Sequence, residues 1–366
     1  MQKIYKQNRA ISLAWALQNP IFAQKGNLSR LLLSNEHLEK LKTTEHRCNL
    51  FSTPEMQALA RIEAALLRGA RKYFDANNFT EIIVPHLTRA TGACENVATM
   101  FTVDHFGQNC YLAQTGQLYL EVLTPFLKKV WCVGPSYRAE PSIDERHLTE
   151  FTLVELEFEG NLAQLMQHIE NVIDSMIQEA LKTRQEDMEL LGIDKQRINT
   201  LPPFKKITYT EAVQKLSSHG VKWGDDLKSI HEKILVEMYG TQPLFITHYP
   251  KAIKFFNMKT NEHNPNVVNS TDLILPFSGE AVGAAEREYK YEPLLKRLEE
   301  STMLRQLIEN GGSIHDFDWY LEFYKLHGGT PHAGCGIGLN RVTQYVLGSN
   351  DIRASTMFPT NKETIM

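Results

Sequence analysis

The sequence predicts an α+β fold in which a mostly antiparallel sheet is flanked by helices. The chain lacks the regular alternation of strands and helices that a parallel, doubly wound sheet requires. Two apolar runs at 130–138 and 150–159 are joined by a short polar loop, which is typical of an antiparallel pair of strands. Apolar residues also recur at helical spacing in 59–79, which indicates an amphipathic helix, and in 161–190, which indicates a helix packed on the core.

The predicted elements run from a helix near residue 60 to a strand and helix near the C-terminal end. The helix at 59–79 leads into a strand that ends before Pro85. The predicted strands lie around 81–84, 111–114, 130–138, 150–159, 272–275 and 333–338. Between the last two strands, 286–310 has the pattern of a polar helix near the surface.

The loop between the two central strands is rich in charge. Arg138 and Arg146 flank it, His147 follows directly, and Glu140 lies between the arginines. Guanidinium groups bind phosphate oxygens in pairs and keep their charge, so this loop is suited to a polyphosphate. The alternative is a solvated hairpin with surface ion pairs. In the strand that follows, we expect Leu153 and the glutamates to lie on different faces.

Near the C-terminal end, residues 332–341 (HAGCGIGLNR) alternate glycines and then present Arg341 at the start of a helix. Glycines let a flat ligand approach the backbone, and an arginine can cover the face of its ring. No GxxxxGK[ST] pattern occurs, and no GxGxxG follows a strand in a βαβ context. The sequence therefore predicts a nucleotide site that is neither of the Walker nor of the Rossmann kind.

Three segments resemble the signature motifs of the class II aminoacyl-tRNA synthetases. YRAE…RHLTEF looks like the second motif, GCGIGLNR looks like the third, and the helical run ahead of Pro85 looks like the first. YLAQTGQLYLEVL and DLILPFSGEAVGAAERE are similar to the asparaginyl and aspartyl subclass, closer to the asparaginyl side. The resemblance implies a catalytic domain at 51–366 that forms an adenylate with ATP. It also implies a homodimer around the first motif, with Leu59, Ile62, Leu66 or neighbouring residues buried at the two-fold interface.

The resemblance implies roles for individual residues at an ATP site. Arg138 matches the arginine that bridges the α-phosphate and the amino-acid carboxylate, and with Arg341 it is the expected catalytic pair. Around the base, Glu140 matches a group at the adenine edge, Phe151 matches the aromatic ring under adenine, and Arg341 covers the other face of adenine. Arg146 and His147 match positions near the β- and γ-phosphates. Asp272 and Glu280 match ligands of Mg²⁺. The alternatives are an ordinary core role for Phe151 and a structural role for His147.

For the amino acid, the resemblance assigns Glu95 to the substrate ammonium and Gln117 to a nearby contact. Glu155 and Arg287 match the pair that reads the substrate side chain. A carboxylate that accepts from an amide NH2 and a guanidinium that donates to its C=O suit Asn, whereas Asp would meet Glu155 as a like charge unless a proton is shared. Aspartyl enzymes carry a lysine where this chain has Leu120, which again favours Asn. A wall of charged residues without this selectivity is the alternative.

Two departures from the family pattern bear on the acceptor of the activated amino acid. Asn340 stands where the third motif usually has an acidic residue that contributes a metal or ribose contact. Residues 1–50 are patterned as a short helical extension, which does not suffice for the β-barrel that reads the anticodon in this subclass. We therefore expect an asparagine-synthetase-type amidoligase that uses Asp, ATP and ammonia, or another paralogue outside tRNA charging. The alternatives are a truncated asparaginyl-tRNA synthetase, with tRNA as a partner, and a non-catalytic regulator that binds amino acid or nucleotide.

Composition agrees with a cytoplasmic enzyme. The sequence has no run of about 18 apolar residues, and its start lacks the apolar core of a signal peptide. The five cysteines show no zinc-binding spacing, so reduced thiols are expected. The formal net charge of −4 gives no general argument for binding nucleic acid.

Overall fold

The computed structural model describes residues 50–90, 97–199 and 202–365. The predicted N-terminal extension lies outside the described residues except for Leu50, and Glu95 also lies outside them. Within the described residues, no helix is both long enough and apolar enough to cross a membrane.

The described residues form one large sheet, one small three-stranded sheet and helices of very different lengths. Its helices are α1 (Pro54–Ala76), α2 (Gln117–Leu127), α3 (Leu162–Thr183), α4 (Gln185–Leu190), α5 (Lys195–Ile198), α6 (Tyr209–Lys215), α7 (Ser229–Met238), α8 (Tyr291–Glu300), α9 (Thr302–Glu309), α10 (Asp318–His327) and α11 (Leu339–Leu347). Its strands are β1 (Thr80–Glu81), β2 (Leu87–Thr88), β3 (Thr102–His105), β4 (Gln108–Leu112), β5 (Lys129–Tyr137), β6 (Glu150–Glu159), β7 (Lys205–Thr208), β8 (Leu244–Thr247), β9 (Ser270–Leu275), β10 (Gly279–Glu286) and β11 (His332–Gly338).

The large sheet has the strand order β1-β5-β6-β11-β10-β9-β8-β7. Its neighbouring strands are antiparallel except for the two edge pairs, β1 with β5 and β7 with β8. The hairpin of β5 and β6 is paired from Tyr137 and Glu150 at its loop end to Lys129 and Phe158 at its base. The prediction of an α+β fold with a mostly antiparallel sheet flanked by helices is therefore confirmed.

Helices α1 and α3 pack against each other and against the sheet. Helix α1 begins with Pro54 after the N-cap Thr53, whose side chain accepts from the Met56 amide. Gly69 lies so close to α3 that a Cβ there would collide with the Ser175 carbonyl oxygen. This close approach fixes the contact between the two helices. Their apolar residues form one hydrophobic core together with residues of the sheet.

The predicted dimer contacts are corrected by this packing. Leu59, Ile62 and Leu66 are all 0% exposed in the single chain, because they belong to the core that α1 shares with α3. They are not available to a partner, so the assignment of these three residues to a two-fold interface is wrong, while an interface through neighbouring residues stays a prediction. An exposed apolar residue of this region is Ile83, which follows β1 and is 98% exposed.

Several element boundaries differ from the expectation. The predicted strand at 81–84 has only two paired residues, Thr80–Glu81, and the strand near 111–114 is β4 of a separate small sheet with β2 and β3. The predicted helix at 161–190 breaks at Arg184 into α3 and α4. The predicted polar helix at 286–310 is two helices, since Ser301 ends α8 and caps α9.

Candidate active site

A cavity of about 480 Å³ lies on the sheet between the β5–β6 hairpin, β9, β10 and the junction of β11 with α11. Every predicted site residue within the described residues lines it: Gln117, Arg138, Glu140, Arg146, His147, Phe151, Glu155, Asp272, Glu280, Arg287 and Arg341. Only Glu95 cannot be placed, since it lies outside the described residues. The structure thus brings together side chains from widely separated parts of the sequence, from Gln117 to Arg341.

The strand β6 forms the floor of this cavity with one face. Phe151, Leu153 and Glu155 all line the cavity, as alternate residues of one strand must. The expectation that Leu153 lies on a different face from the glutamates is therefore wrong. Gly336 of β11 pairs with Glu155 in the sheet and also lines the cavity.

At one end of the cavity, arginines cluster around Phe151. The Arg138 guanidinium lies 5.3 Å from the centroid of the Phe151 ring, and its Nε is buried without a hydrogen-bond partner among the described residues. Arg146 forms an ion pair with Glu232 of α7 at 3.2 Å. Arg341, at the start of α11, donates to the Arg146 carbonyl oxygen. This arrangement puts positive charge around a partly buried aromatic ring in the cavity wall, which suits a nucleotide.

Glu232 was not found from the sequence. It is buried, and burial raises its pKa although the neighbouring Arg146 opposes this. The turn before β10 makes room for the pair at Gly279, whose φ is +75° and whose Cβ would lie 2.8 Å from Glu232 Oε2. No local pattern marks Glu232 as a site residue, because it reaches the cavity from one turn of an ordinary amphipathic helix.

His147 is held by the loop itself. Its Nδ1 lies 2.8 Å from Asp144 Oδ1, and the same carboxylate accepts from the backbone amides of Arg146 and His147. Burial acts against the Asp144 anion, but these bonds outweigh it and lower the pKa of Asp144. Asp144 therefore shapes the loop and orients the His147 ring at the cavity wall, so a structural role and a ligand contact are compatible.

Asp272 and Glu280 face the cavity from the neighbouring strands β9 and β10. Burial and the negative charge of Glu280 raise the pKa of Asp272 to about 7, although Lys254 opposes this. The Lys254 ammonium lies 2.8 Å from Asp272 Oδ2 and 4.1 Å from the ring centroid of Tyr249. Among the described residues no group of three or more His, Cys, Asp or Glu could hold a metal ion. The pair still fits Mg²⁺, which is commonly bound by one or two carboxylates together with water and phosphate oxygens.

At the other end of the cavity, Glu155 is a buried carboxylate with fixed orientation. Its Oε1 accepts from the Gly116 amide at 2.7 Å, and its Oε2 accepts from the Thr115 hydroxyl. Burial raises the pKa of Glu155, although these bonds and the charge of Arg287 act in the opposite direction. Arg287 does not form an ion pair with Glu155. Its partner is Glu157, at 2.8 Å, on the same strand.

Behind Arg287 lies a buried polar cluster that the sequence did not reveal. Glu121 of α2 accepts from Gln117, Asn257 and Tyr320 at 2.8, 2.7 and 2.6 Å, and its Oε1 lies 3.8 Å from the Arg287 Nε. His332 lies 3.7 Å from Glu121. These side chains come from four separate parts of the chain, so no sequence spacing connects them.

Asn340 joins two parts of the core. Its Oδ1 accepts from the Thr152 amide of β6 at 3.0 Å, and its Nδ2 donates to Glu63 of α1 at 3.4 Å. Burial raises the pKa of Glu63 to about 7. An acidic residue at 340 would face Glu63 as a like charge, so the amide is matched to its surroundings.

Known proteins resemble this chain over most of its length. A family model described as "tRNA synthetases class II (D, K and N)" matches residues 39–362. The asparagine–tRNA ligase of Pyrococcus furiosus is 38% identical over 312 residues, which is 84% of this chain and 69% of that protein. The asparagine–tRNA ligase of Desulforamulus reducens is 36% identical over 316 residues, 84% of this chain and 70% of that protein.

Solved structures of related synthetases also superpose on this chain. Asparaginyl-tRNA synthetase from Pyrococcus horikoshii, complexed with asparaginyl-adenylate, superposes with a TM-score of 0.79 at 34% identity, covering 87% of this chain and 73% of that one. Aspartyl-tRNA synthetase from Entamoeba histolytica superposes with a TM-score of 0.70 at 28% identity, covering 88% of this chain and 63% of that one.

The sheet and its arginine-lined cavity define an aminoacyl-tRNA synthetase-type ligase, an ATP-dependent enzyme class that forms AMP. Within that class, the chain belongs to the class II tRNA synthetase family of the D, K and N type.

Proposed function

We propose that this protein activates asparagine by forming asparaginyl-adenylate and pyrophosphate from Asn and ATP. The observation that carries the proposal is that Glu155 lines the cavity together with Arg287, whose charge acts on it. Glu155 can accept from an amide N–H, and Arg287 can donate to an amide carbonyl. The solved relative with asparaginyl-adenylate supports the same ligand.

The surroundings of Glu155 disfavour Asp. A bound Asp would place a second carboxylate against a buried one, which costs free energy unless a proton is shared. Leu120 does not relieve this, because it is 0% exposed in an apolar cluster with Val84 and Val130. That position therefore offers no cation to an acidic substrate.

The cavity supports an in-line transfer of the adenylyl group. A carboxylate oxygen of Asn attacks the α-phosphorus, the new C–O–P linkage forms, and the bond to the β-phosphate oxygen breaks to release pyrophosphate. Arg138 would hold the carboxylate and the α-phosphate together, since its guanidinium offers several donors. Arg146 and His147 would contact the outer phosphates, and Phe151 and Arg341 would enclose adenine.

Asp272 and Glu280 would hold Mg²⁺, with Glu140 at the adenine edge. When bound, the ion would offset the negative charge of the phosphates. Lys254 would have to leave Asp272 for this, because it covers both oxygens of that carboxylate at 3.1 and 2.8 Å. Released, its ammonium remains beside the cavity as a further positive charge.

For the acceptor of the adenylate, we propose tRNA. The relatives and solved structures named above are all tRNA ligases, and none supports an asparagine-synthetase-type amidoligase. A non-catalytic regulator is disfavoured, because Arg138, Phe151, Arg287 and Arg341 all face one cavity. A homodimer and a cytoplasmic location stay predictions.

The test combines product analysis with a choice of acceptors. The purified protein is incubated with ATP, Mg²⁺ and Asn or Asp, and the adenylate is identified by mass spectrometry. Asparagine tRNA or ammonia is then added. We expect asparaginyl-adenylate followed by asparaginyl-tRNA. Aspartyl-adenylate that yields free asparagine with ammonia would instead establish the amidoligase.

A further inference from the structure

Asn257 lies in the wall of the cavity with only half of its amide satisfied. Its Nδ2 donates to Glu121 Oε1 at 2.7 Å. Its Oδ1 is buried and has no hydrogen-bond partner among the described residues. The residue is 0% exposed and lines the cavity together with Gln117 and Arg287. A buried amide oxygen without a partner is unfavourable, so a ligand that donates to it gains affinity.

The carboxylate of Glu121 fixes the orientation of the Asn257 side-chain amide. An ionised carboxylate only accepts hydrogen bonds, so the amide nitrogen must face it and the oxygen must point away. The Gln117 Nε2 donates to the same Oε1 at 2.8 Å, so the Gln117 amide is turned in the same sense. Glu121 is ionised, since His332 and Arg287 outweigh the effect of burial and lower its pKa.

We propose that Asn257 is an amino-acid-binding residue whose Oδ1 accepts a hydrogen bond from the α-ammonium group of the substrate. This inference rests on the amino-acid activation proposed above. Glu155 is suited to the N–H groups of the substrate's side-chain amide, which leaves the oxygens of Asn257 and Gln117 for the other nitrogen of the substrate. Both amides turn their nitrogens to Glu121, so their oxygens are left as acceptors for a donor in the cavity.

Glu121 is a positioning residue in this arrangement. It orients Asn257 and Gln117, and it does not line the cavity itself. Tyr320, which donates to its second oxygen at 2.6 Å, keeps the carboxylate in place. Two neutral acceptors oriented by one buried anion can bind an ammonium group together with Glu95, which the resemblance assigns to the same group.

The test removes one group from the ligand and one from the protein. The two ligands are the non-hydrolysable 5′-O-(N-asparaginylsulfamoyl)adenosine and its deamino counterpart, in which succinamic acid replaces Asn. Both share the adenosine part, and calorimetry gives the Kd of each. In Asn257→Ala we expect the asparaginyl compound to bind about 10- to 100-fold more weakly, as for a lost bond to a charged group. The Kd of the deamino compound should stay within about twofold.

Asn257→Asp separates binding from folding. It keeps an oxygen for the ammonium but sets a carboxylate against Glu121, so we expect a lower Tm with the preference for the asparaginyl compound retained. Equal weakening of both compounds in Asn257→Ala, no weakening of either, or loss of the preference in Asn257→Asp would overturn the assignment. If the wild-type protein binds neither compound, the proposed adenylate formation fails as well, and that result is distinct from the others.

Discussion

Arg341 donates through Nη2 to the carbonyl oxygen of Arg146 at 2.8 Å, which ties the start of α11 to the loop of the β5–β6 hairpin. Its Nη1 donates to the Ser278 carbonyl oxygen at 2.7 Å, in the turn before β10. Burial and the nearby charge of Arg146 lower the pKa of Arg341 to about 10, so it still carries its charge at neutral pH. One guanidinium therefore holds three walls of the cavity around the proposed adenine position.

Replacing Arg341 by Lys should weaken ATP binding. Lysine keeps the charge, but its single nitrogen cannot reach both carbonyl oxygens and still cover an adenine ring. We expect the KM for ATP in pyrophosphate exchange to rise at least about 10-fold, the effect of one lost charge-assisted bond. Arg353→Lys is the matched control, since Arg353 is paired with Asp351 and does not line the cavity. An unchanged KM for ATP would remove Arg341 from the nucleotide site.

Replacing Arg138 by Ala should abolish pyrophosphate exchange. Arg138 lies over the Phe151 ring, and its charge acts on Glu155, so it lies between the two ends of the cavity, where the carboxylate and the α-phosphate would meet. Loss of such a preorganised contact raises the barrier by about 3 kcal/mol or more. Arg71→Ala serves as the control, because Arg71 pairs with Glu81 at the surface. Near-normal exchange in Arg138→Ala would show that the nucleotide binds elsewhere.

The discrimination between Asn and Asp should depend on pH. Because the pKa of Glu155 is raised, a falling pH protonates this residue at higher pH than an ordinary glutamate, and the neutral acid tolerates Asp. We therefore expect kcat/KM for Asp, relative to Asn, to rise as the pH falls. Glu155→Gln should harm Asn activation far more than Asp activation and should remove this pH dependence. If the ratio of kcat/KM for Asp to that for Asn does not change with pH in the wild-type protein, the role given to Glu155 is contradicted.

Glu63 should make the stability of the protein depend on pH. Burial raises its pKa from 4.5 to about 7, so the folded chain keeps a proton that the unfolded chain releases between these values. Its contribution is fully present below pH 4.5 and is lost as the pH rises through about 7. The loss is of the order of 3 kcal/mol, at 1.36 kcal/mol per pKa unit.

Glu63→Gln should remove this part of the pH dependence. Urea unfolding of both proteins at pH 5 and pH 8 gives the comparison, with the variant gaining stability relative to wild type at the higher pH. Asn340→Asp should instead lose stability relative to wild type at the higher pH, since it adds a like charge beside Glu63. Parallel stability curves for wild type and Glu63→Gln would show that Glu63 does not titrate in this range.

The predicted homodimer can be tested at Ile83. This residue is 98% exposed on the edge of the sheet, next to β1. If the dimer forms at this edge, Ile83→Glu should bury a charge in the interface and dissociate it. Sedimentation at micromolar concentration distinguishes the outcomes, with Phe106→Glu as the control, since Phe106 is 94% exposed in the β3–β4 turn. A monomeric wild-type protein would remove the dimer altogether.

The site residues that lie in short sequence motifs could be predicted from the sequence. The charged loop lies on one hairpin, and the glycine-rich strand leads directly into the helix of Arg341, so sequence order alone places these side chains. The strand β10 was not predicted, because GEAVGAAE has small residues and few β-branched ones. It is a strand because β9 and β11 supply hydrogen bonds on both sides.

The parts that escaped prediction depend on contacts between distant segments. Glu121, Asn257 and Tyr320 meet only because α2, the segment after β8 and α10 pack together. Leu59, Ile62 and Leu66 were assigned to a partner for the same reason, since an apolar helix face does not reveal whether another chain or α3 covers it. Periodicity identifies a buried face but not the residues that bury it.

Asn-dependent and Asp-dependent ATP–pyrophosphate exchange by the wild-type protein, measured side by side at pH 7.5, tests the central claim most directly. Both amino acids share the same ATP site, so their ratio reports only the end of the cavity where Glu155 and Arg287 lie. We expect kcat/KM for Asn to exceed that for Asp roughly 100-fold, the cost of a like charge next to a buried carboxylate. Exchange with Asp that equals or exceeds exchange with Asn would contradict the proposal that this protein activates asparagine.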